Sequence, residues 1–306
     1  MLRSAILAAS RSTRVERLVE TVPVTRDVVR RFVAGTGTDD ALRVTRELAA
    51  AGLAVTLDHL GEDTLTPDQA AATKDEYLRL LKALADAGLT GVAEVSLKLS
   101  ALGQRFDEEL AYEHAHAVCA AAAAAGTTVT LDMEDHETTD ETLDTLARLR
   151  ADFPATGAVL QAYLRRTEGD CRELATPGSR VRLCKGAYAE PESVAFQSTL
   201  EVDRSYVRCL SILISGPGYP MVATHDPRLI AIAEDRARWF DRVPGDFEFQ
   251  LLYGVRPEEQ LRLAAAGYTV RVYVPYGTQW YAYLMRRLAE RPANLSFFLR
   301  ALVSRK

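Results

Sequence analysis

From residue 51 onward, short runs rich in Val, Leu and Thr alternate eight times with Ala- and Leu-rich amphipathic stretches. The strand-like runs are AVTLDHL (54–60), EVSLKLS (94–100), TVTLDME (128–134), AVLQAYL (158–164), RVRLCKG (180–186), MVATHD (221–226), FEFQLLY (247–253) and TVRVYVP (269–275). Their starts lie 22 to 41 residues apart, room for one helix and two short turns, which is the βαβ unit repeated. Largely apolar strands predict a parallel sheet covered on both faces. Eight such units predict closure into a (β/α)8 barrel of the TIM type over residues 51–306. The stretch before it, residues 1–50, has only helical spacing, as in VERLVETV and TRDVVRRFVAG, and is expected to be an N-terminal helical arm. In DDALRVTRELAAAG, Asp39 or Asp40 is the expected N-cap.

An open, doubly wound sheet is the competing architecture. It calls for a glycine-rich phosphate loop after the first strand, where this chain has LDHLGED. The GTG at 35–37 precedes every strand and the SGPG at 215–218 precedes the sixth, so both are expected to be turns. The net charge of −5 offers no basic surface for nucleic acid. No stretch approaches the roughly 18 apolar residues of a membrane helix. The opening MLRSAILAASRSTR lacks a secretory leader pattern, so the cytoplasm is the expected compartment. Cys119, Cys171, Cys184 and Cys209 form no CxxC pair and fit no zinc spacing, so no metal is expected and the thiols read as buried and unreactive.

In a β/α barrel the reacting groups gather at the carboxyl ends of the strands. Here those ends carry Glu62 after strand one, Lys98 on two, Asp132 and Glu134 on three, and Gln161 on four. Strand five carries Arg182 and Lys185, six ends in Thr224 and His225, seven carries Gln250, and eight carries Arg271 and Tyr273. Polar groups within apolar strands are costly unless they pair with one another or with a ligand. Each has a structural reading too. Lys98 and Asp132 can be a scaffolding ion pair, Gln161 and Gln250 satisfied core amides, and His225-Asp226-Pro227 a helix start with Asp226 as N-cap. The last helix, TQWYAYLMRRLAER, puts Tyr283, Arg286, Arg287 and Glu290 on one face. That face is either a solvated ion-pair row or, with aromatic residues at the helix start, a clamp for a small carboxylate.

The stretches VSLKLSALG, TLDMEDHE, VLQAYLRRT, VRLCKGAYAEPE, VATHDPRLI, FEFQLLYGVR and RVYVPYG…YAYLMRRLAER run in order from about residue 55 to 300. In these the chain resembles the monofunctional bacterial proline dehydrogenases and the proline dehydrogenase domain of the bifunctional proline-utilisation enzymes. The YxxRRxxE face and VRLxKGAY are the most specific elements. The resemblance implies oxidation of L-proline to Δ1-pyrroline-5-carboxylate by hydride transfer to N5 of a non-covalent FAD. Reoxidation by a membrane quinone is implied with it, and with that a peripheral contact on the inner face of the membrane. It places Arg182 at N5, Gln161 at the pyrimidine edge, and Lys185, Gly186, Ala187, Thr224 and His225 at the ribityl and pyrophosphate. Gln250 falls near the adenine. Arg286, Arg287 and Lys98 hold the proline carboxylate, with Asp132 positioning Lys98. Leu252, Tyr273 and Tyr283 pack on the ring, Glu290 holds the arginines, and Glu62 closes over the substrate. The last helix then lies over the barrel mouth. LDHLGE departs from the family in His59, and Cys184 stands where Val is common.

Two other functions fit a polar barrel mouth. One is a Schiff-base aldolase using Lys98 or Lys185 as its amine; the other is a binder of small molecules without turnover. Oligomeric state is open at this level, a homo-oligomer included.

Overall fold

The structure is a computed structural model, and it describes residues 29–61, 64–281 and 283–285. Eight parallel strands alternate with helices. They are β1 (Ala54–His59), β2 (Ala93–Leu97), β3 (Val129–Leu131), β4 (Ala158–Gln161), β5 (Arg180–Cys184), β6 (Tyr219–Ala223), β7 (Glu248–Leu252) and β8 (Thr269–Tyr276). Helix α1 (Thr38–Ala50) precedes β1. Seven more follow the first seven strands: α2 (Pro67–Asp86), α3 (Glu108–Ala124), α4 (Thr139–Asp152), α5 (Thr167–Leu174), α6 (Thr199–Ser215), α7 (Pro227–Trp239) and α8 (Pro257–Ala265).

The sheet runs β3-β2-β1-β8-β7-β6-β5-β4, with β1 paired to both β2 and β8, so the first and last strands meet as a barrel requires. The remaining seam is between β3 and β4. There Gly157 accepts from Leu131 N–H at 2.9 Å and donates to Val129 O at 2.8 Å. A Cβ at residue 157 would stand 2.5 Å from Thr130 Oγ1, so the approach that closes this seam is open only to glycine.

Helix α1 packs on β1 and β8, the groove that a helix after β8 fills in a regular barrel. Residues 38–50 of the N-terminal stretch are therefore part of the barrel wall. The N-cap of α1 is Gly37. Asp39 and Asp40 lie inside its first turn instead, where their charge favours the helix amino end, and Asp40 Oδ2 accepts from Thr36 N–H at 3.1 Å. Asp226 does cap α7, accepting from Arg228 N–H, with Pro227 at the first helical position.

Several strands stop short of their sequence-based ends, β2 at Leu97, β3 at Leu131, β4 at Gln161 and β5 at Cys184, while β8 runs one residue past its own, to Tyr276. They also alternate more regularly than their apolar look suggests. Val55, Leu57, Val95, Leu97, Val181, Leu183, Phe249, Leu251, Val270 and Val272 belong to the apolar core shared with the helices. The residues between them meet across the barrel: Arg182 of β5 reaches Ser96 of β2 at 3.1 Å, and Arg180 reaches Glu94 at 2.6 Å. The apolar core is thus a ring outside the sheet, and the barrel interior is largely polar, with Met221 among its charged side chains.

Candidate active site

Lys98, one residue past β2, is the hub of the mouth. Its Nζ donates to both oxygens of Asp58 at 2.8 Å and lies 3.5 Å from Asp132 Oδ2 and from Tyr273 Oη. Asp132, one residue past β3, accepts on Oδ2 from Tyr273 O–H at 2.6 Å, and on Oδ1 from Arg182 Nη1 at 2.7 Å and Ser96 Oγ at 2.8 Å. The Arg182 guanidinium lies over the Tyr273 ring, 5.2 Å from its centroid, and its Nε donates to Gln250. Burial alone would raise the Asp132 carboxyl. The charges of Lys98 and Arg182, with hydrogen bonds from Tyr273 and Ser96, overcome this and hold it below the ordinary carboxylate range. Burial, then the Asp132 and Asp58 charges, push the Tyr273 phenol far above its ordinary value, so it stays a neutral donor.

Lys98 and Asp132 are therefore brought together, but the tighter partner of Lys98 is Asp58. Sequence reasoning missed it by looking past the strand to Glu62. Asp58 was findable, because it lies two residues after Thr56 on the inner face of β1, by the two-residue period of a strand. Steps of two back from Lys98 likewise reach Ser96 and then Glu94, and one such step from Arg182 and from Gln250 reaches Arg180 and Glu248. Glu94 accepts from Arg180 and lies 3.8 Å from Arg182 and Arg271, while Glu248 pairs with Arg271 Nε at 2.8 Å.

A second group lies beyond β5 and β6. Lys185 Nζ donates to Asp203 of α6 at 2.5 Å and to Asp226 at 3.1 Å, and Arg228 bridges the same two carboxylates. His225 Nε2 accepts from Leu252 N–H at 2.9 Å, which puts the ring proton on Nδ1 when the imidazole is neutral. Thr224 is buried and its Oγ1 accepts from Asp226 N–H at 3.2 Å. Gly186 has φ +108° and lies under the Tyr163 ring, where a Cβ would clash at 2.2 Å; Ala187 beside it is exposed. Gln161 ends β4 and donates to Glu134 O at 2.7 Å, so it is at least a satisfied core amide.

Gln250 is not out at the rim with these groups. It is buried in mid-β7 against Arg182 and Glu248, because inner-face residues of a strand two steps from its end sit below the mouth. Leu252 is half-buried at the end of β7 and Tyr283 is buried at the start of the last helix. Glu62, Arg286, Arg287 and Glu290 lie outside the described residues.

The chain's relatives bear on this mouth. Residues 41–300 match the family described as proline dehydrogenase. The chain is 37% identical over 305 residues to proline dehydrogenase 1 of Bacillus subtilis (strain 168), covering 100% of both chains. It is 38% identical over 312 residues to proline dehydrogenase of Deinococcus radiodurans, covering 99% of this chain and 98% of that one. To the bifunctional protein PutA of Escherichia coli (strain K12) it is 31% identical over 310 residues, 87% of this chain but 23% of that protein. Among solved structures it is similar to proline utilization A of Bdellovibrio bacteriovorus inactivated by N-propargylglycine. The TM-score is 0.82 at 26% identity, over 92% of this chain and 34% of that one. The chain thus spans about a third of that structure's length and nearly the whole of the monofunctional relatives. A closed parallel barrel and a match over residues 41–300 make this chain a member of the proline dehydrogenase family.

Proposed function

We propose that this protein oxidises L-proline to Δ1-pyrroline-5-carboxylate on an FAD held in the barrel mouth. The observation that carries the reading is the buried Asp58–Lys98–Asp132–Arg182–Tyr273 network, which gathers a cation for the substrate and a cation for the cofactor around one carboxylate. The donor set suits a flavin. Lys185 just past β5, Thr224 just past β6 and the close-packed Gly186 offer cationic, hydroxyl and backbone groups on neighbouring strands, a set that suits a diphosphate, while Arg182 Nη2 lies 3.8 Å from Glu94 Oε1. Arg182 and Gln161 would hold the ring. Lys185, Thr224, His225 and the backbone of Gly186 and Ala187 would hold the ribityl and pyrophosphate. Gln250 lies beneath Arg182, so its effect on the cofactor would run through that guanidinium. When bound, FAD supplies the hydride acceptor, and a quinone supplies the outlet for the electrons.

The chain's own residues fix the substrate. Lys98, with Arg286 and Arg287, would fix the proline carboxylate, with Glu290 holding the arginines and Glu62 closing over them. Asp58 and Asp132 hold the Lys98 ammonium in place, and Tyr273 O–H is directed to Asp132 Oδ2, so its ring, with Leu252 and Tyr283, is left to pack on the pyrrolidine. Orienting one C–H toward the acceptor is the protein's contribution.

The imine-forming alternative loses its amines. Lys98 and Lys185 each pair with two carboxylates, and a lysine donating to both has no lone pair for a carbonyl. Purified protein should be yellow, and anaerobic L-proline should bleach it without a nicotinamide. A colourless protein that added FAD cannot reconstitute overturns the reading, and so does borohydride trapping of a substrate adduct.

A further inference from the structure

Beneath the substrate network the barrel holds a second charged set that the reaction does not use. Glu94, Glu248, Arg180 and Arg271 form it, and both glutamates are buried. Glu248 is fully enclosed. It accepts from Arg271 Nε at 2.8 Å and Nη2 at 3.1 Å and from Tyr219 O–H at 3.2 Å, and its Oε1 also accepts from Gln250 Nε2 at 2.5 Å. Gln250 Oε1 in turn accepts from Arg182 Nε at 2.5 Å.

The order of these bonds is dictated by donor chemistry. A carboxylate only accepts and a guanidinium only donates, whereas a glutamine amide has one end of each kind. With Glu248 on one side and Arg182 on the other, the amide has a single satisfied orientation, NH2 to Glu248 and oxygen to Arg182. Turned over, it would set oxygen against carboxylate and NH2 against guanidinium, both buried and both repulsive. Glu248 therefore fixes the polarity of Gln250, and Gln250 supplies an acceptor to Arg182 on the side opposite Asp132.

We propose that Glu248 and Gln250 are positioning residues for Arg182, a relay that runs Arg271, Glu248, Gln250, Arg182 from the barrel floor to the mouth. The proposal rests on the reading that Arg182 lies beside the flavin ring, and deepens it: the relay fixes the donor face the ring meets while touching neither ring nor proline.

The test is a charge-preserving swap in the holoenzyme. Glu248→Gln sets an amide NH2 among the donors of Arg271, Tyr219 and Gln250, so Gln250 is held from the Arg182 side alone and the Nε acceptor of Arg182 is loosened. Turnover should fall by about 10- to 100-fold, the scale of one hydrogen bond to a charged group, with KM for proline within about threefold. The visible bands of the bound flavin, which report the field at the ring, should shift as well. The double variant Glu248→Gln/Gln250→Glu keeps the barrel's net charge and returns an acceptor to Arg182 whichever way residue 248 turns. It should recover turnover to within about threefold of the parent and restore the bands. If the single and double variants behave alike, in turnover and spectrum, the relay does not exist. Melting temperatures of both separate this from a general loss of stability, since a merely structural glutamate predicts no rescue by the swap. Arg182→Lys is the control on the underlying reading. If that variant keeps the parent's spectrum and turnover, Arg182 is not beside the flavin, and the failure belongs to the proposed function instead.

Discussion

At the scale of single residues, charge pairing decides what the mouth can do. Lys98 stands between Asp58 and Asp132, with side chains 12%, 2% and 12% exposed, so both carboxylates depend on cations for their charge, Asp132 on Arg182 as well as Lys98. Lys98→Met should cost about 3–5 kcal/mol of stability at neutral pH, the usual scale for breaking a buried pair. The sign with pH follows. Asp132 keeps Arg182, Ser96 and Tyr273 in the variant, so the deficit falls on Asp58, which loses the ammonium that both its oxygens accept from; protonation relieves that loss, and the deficit shrinks on acidification. Urea unfolding of parent and variant at pH 7 and pH 5 checks it, and an equal deficit at both would mean that the lysine acts by packing rather than by charge. On the proposed flavin reading, cofactor content should be little changed while proline turnover collapses. A second residue-scale expectation concerns His59. Burial, with Arg79 and Lys98 nearby and against the opposing pull of Glu76, lowers its pKa, so the neutral ring is favoured in the folded state. That contribution is present above the unfolded value of about 6.5 and is lost as pH falls through the lower folded value. His59→Leu should flatten the stability profile on the acid side of pH 6.5, which a melting series reads directly.

At the scale of elements, closure and strand length are what the tertiary structure adjusts. The seam between β3 and β4 is made by one glycine rather than by a ladder, since β3 is three residues long and β4 four. Gly157→Ala forces a methyl to within 2.5 Å of Thr130 Oγ1 and should cost about 1–3 kcal/mol, the range for overpacking a close contact. Adding Thr130→Ala should return part of that loss, and guanidinium melts of the single and double variants would measure it. No recovery would mean the strain lies in the backbone of residue 157 and not in the contact. The early strand ends have a related cause. Runs such as LKLS and LDME keep the strand period in sequence, but a strand ends where its neighbours stop offering hydrogen bonds, and those neighbours are distant in the chain.

At the scale of the molecule, the barrel interior holds two stacked charge quartets, each balanced: Asp58, Asp132, Lys98 and Arg182 above, Glu94, Glu248, Arg180 and Arg271 below. TIM-type barrels fill this space with branched apolar residues. Here the apolar packing lies mostly between sheet and helices, and the interior, Met221 apart, is a salt network, a weak contributor to stability but a strong constraint on geometry. Such a barrel is vulnerable to acid. Burial would raise the Glu94 carboxyl, but Arg271, Arg180 and Arg182 hold it at about 2. Against an unfolded value near 4.3, its stabilisation is complete above that pH and is lost as pH falls toward about 2, an effect of order 3 kcal/mol. Glu94→Gln should lower stability at neutral pH and make the remaining profile less steep between about pH 5 and 2. A variant profile as steep as the parent's would place the acid sensitivity elsewhere.

The sequence by itself determined the barrel and where its strands lie, because a parallel sheet covered by helices leaves a local signature: apolar runs at βαβ spacing, none longer than a strand needs. It also determined which side chains would be polar in an apolar setting, from Lys98 through Arg182 to Tyr273, since that contrast is written residue by residue. What only the tertiary structure decided is who pairs with whom. Lys98 meets Asp58 across 40 positions of chain and Arg182 meets Gln250 across 68, contacts fixed by strand order and tilt. The same holds for α1, which in sequence reads as part of an N-terminal helical arm and becomes a wall of the barrel only because β8 returns beside β1 and leaves a groove to fill.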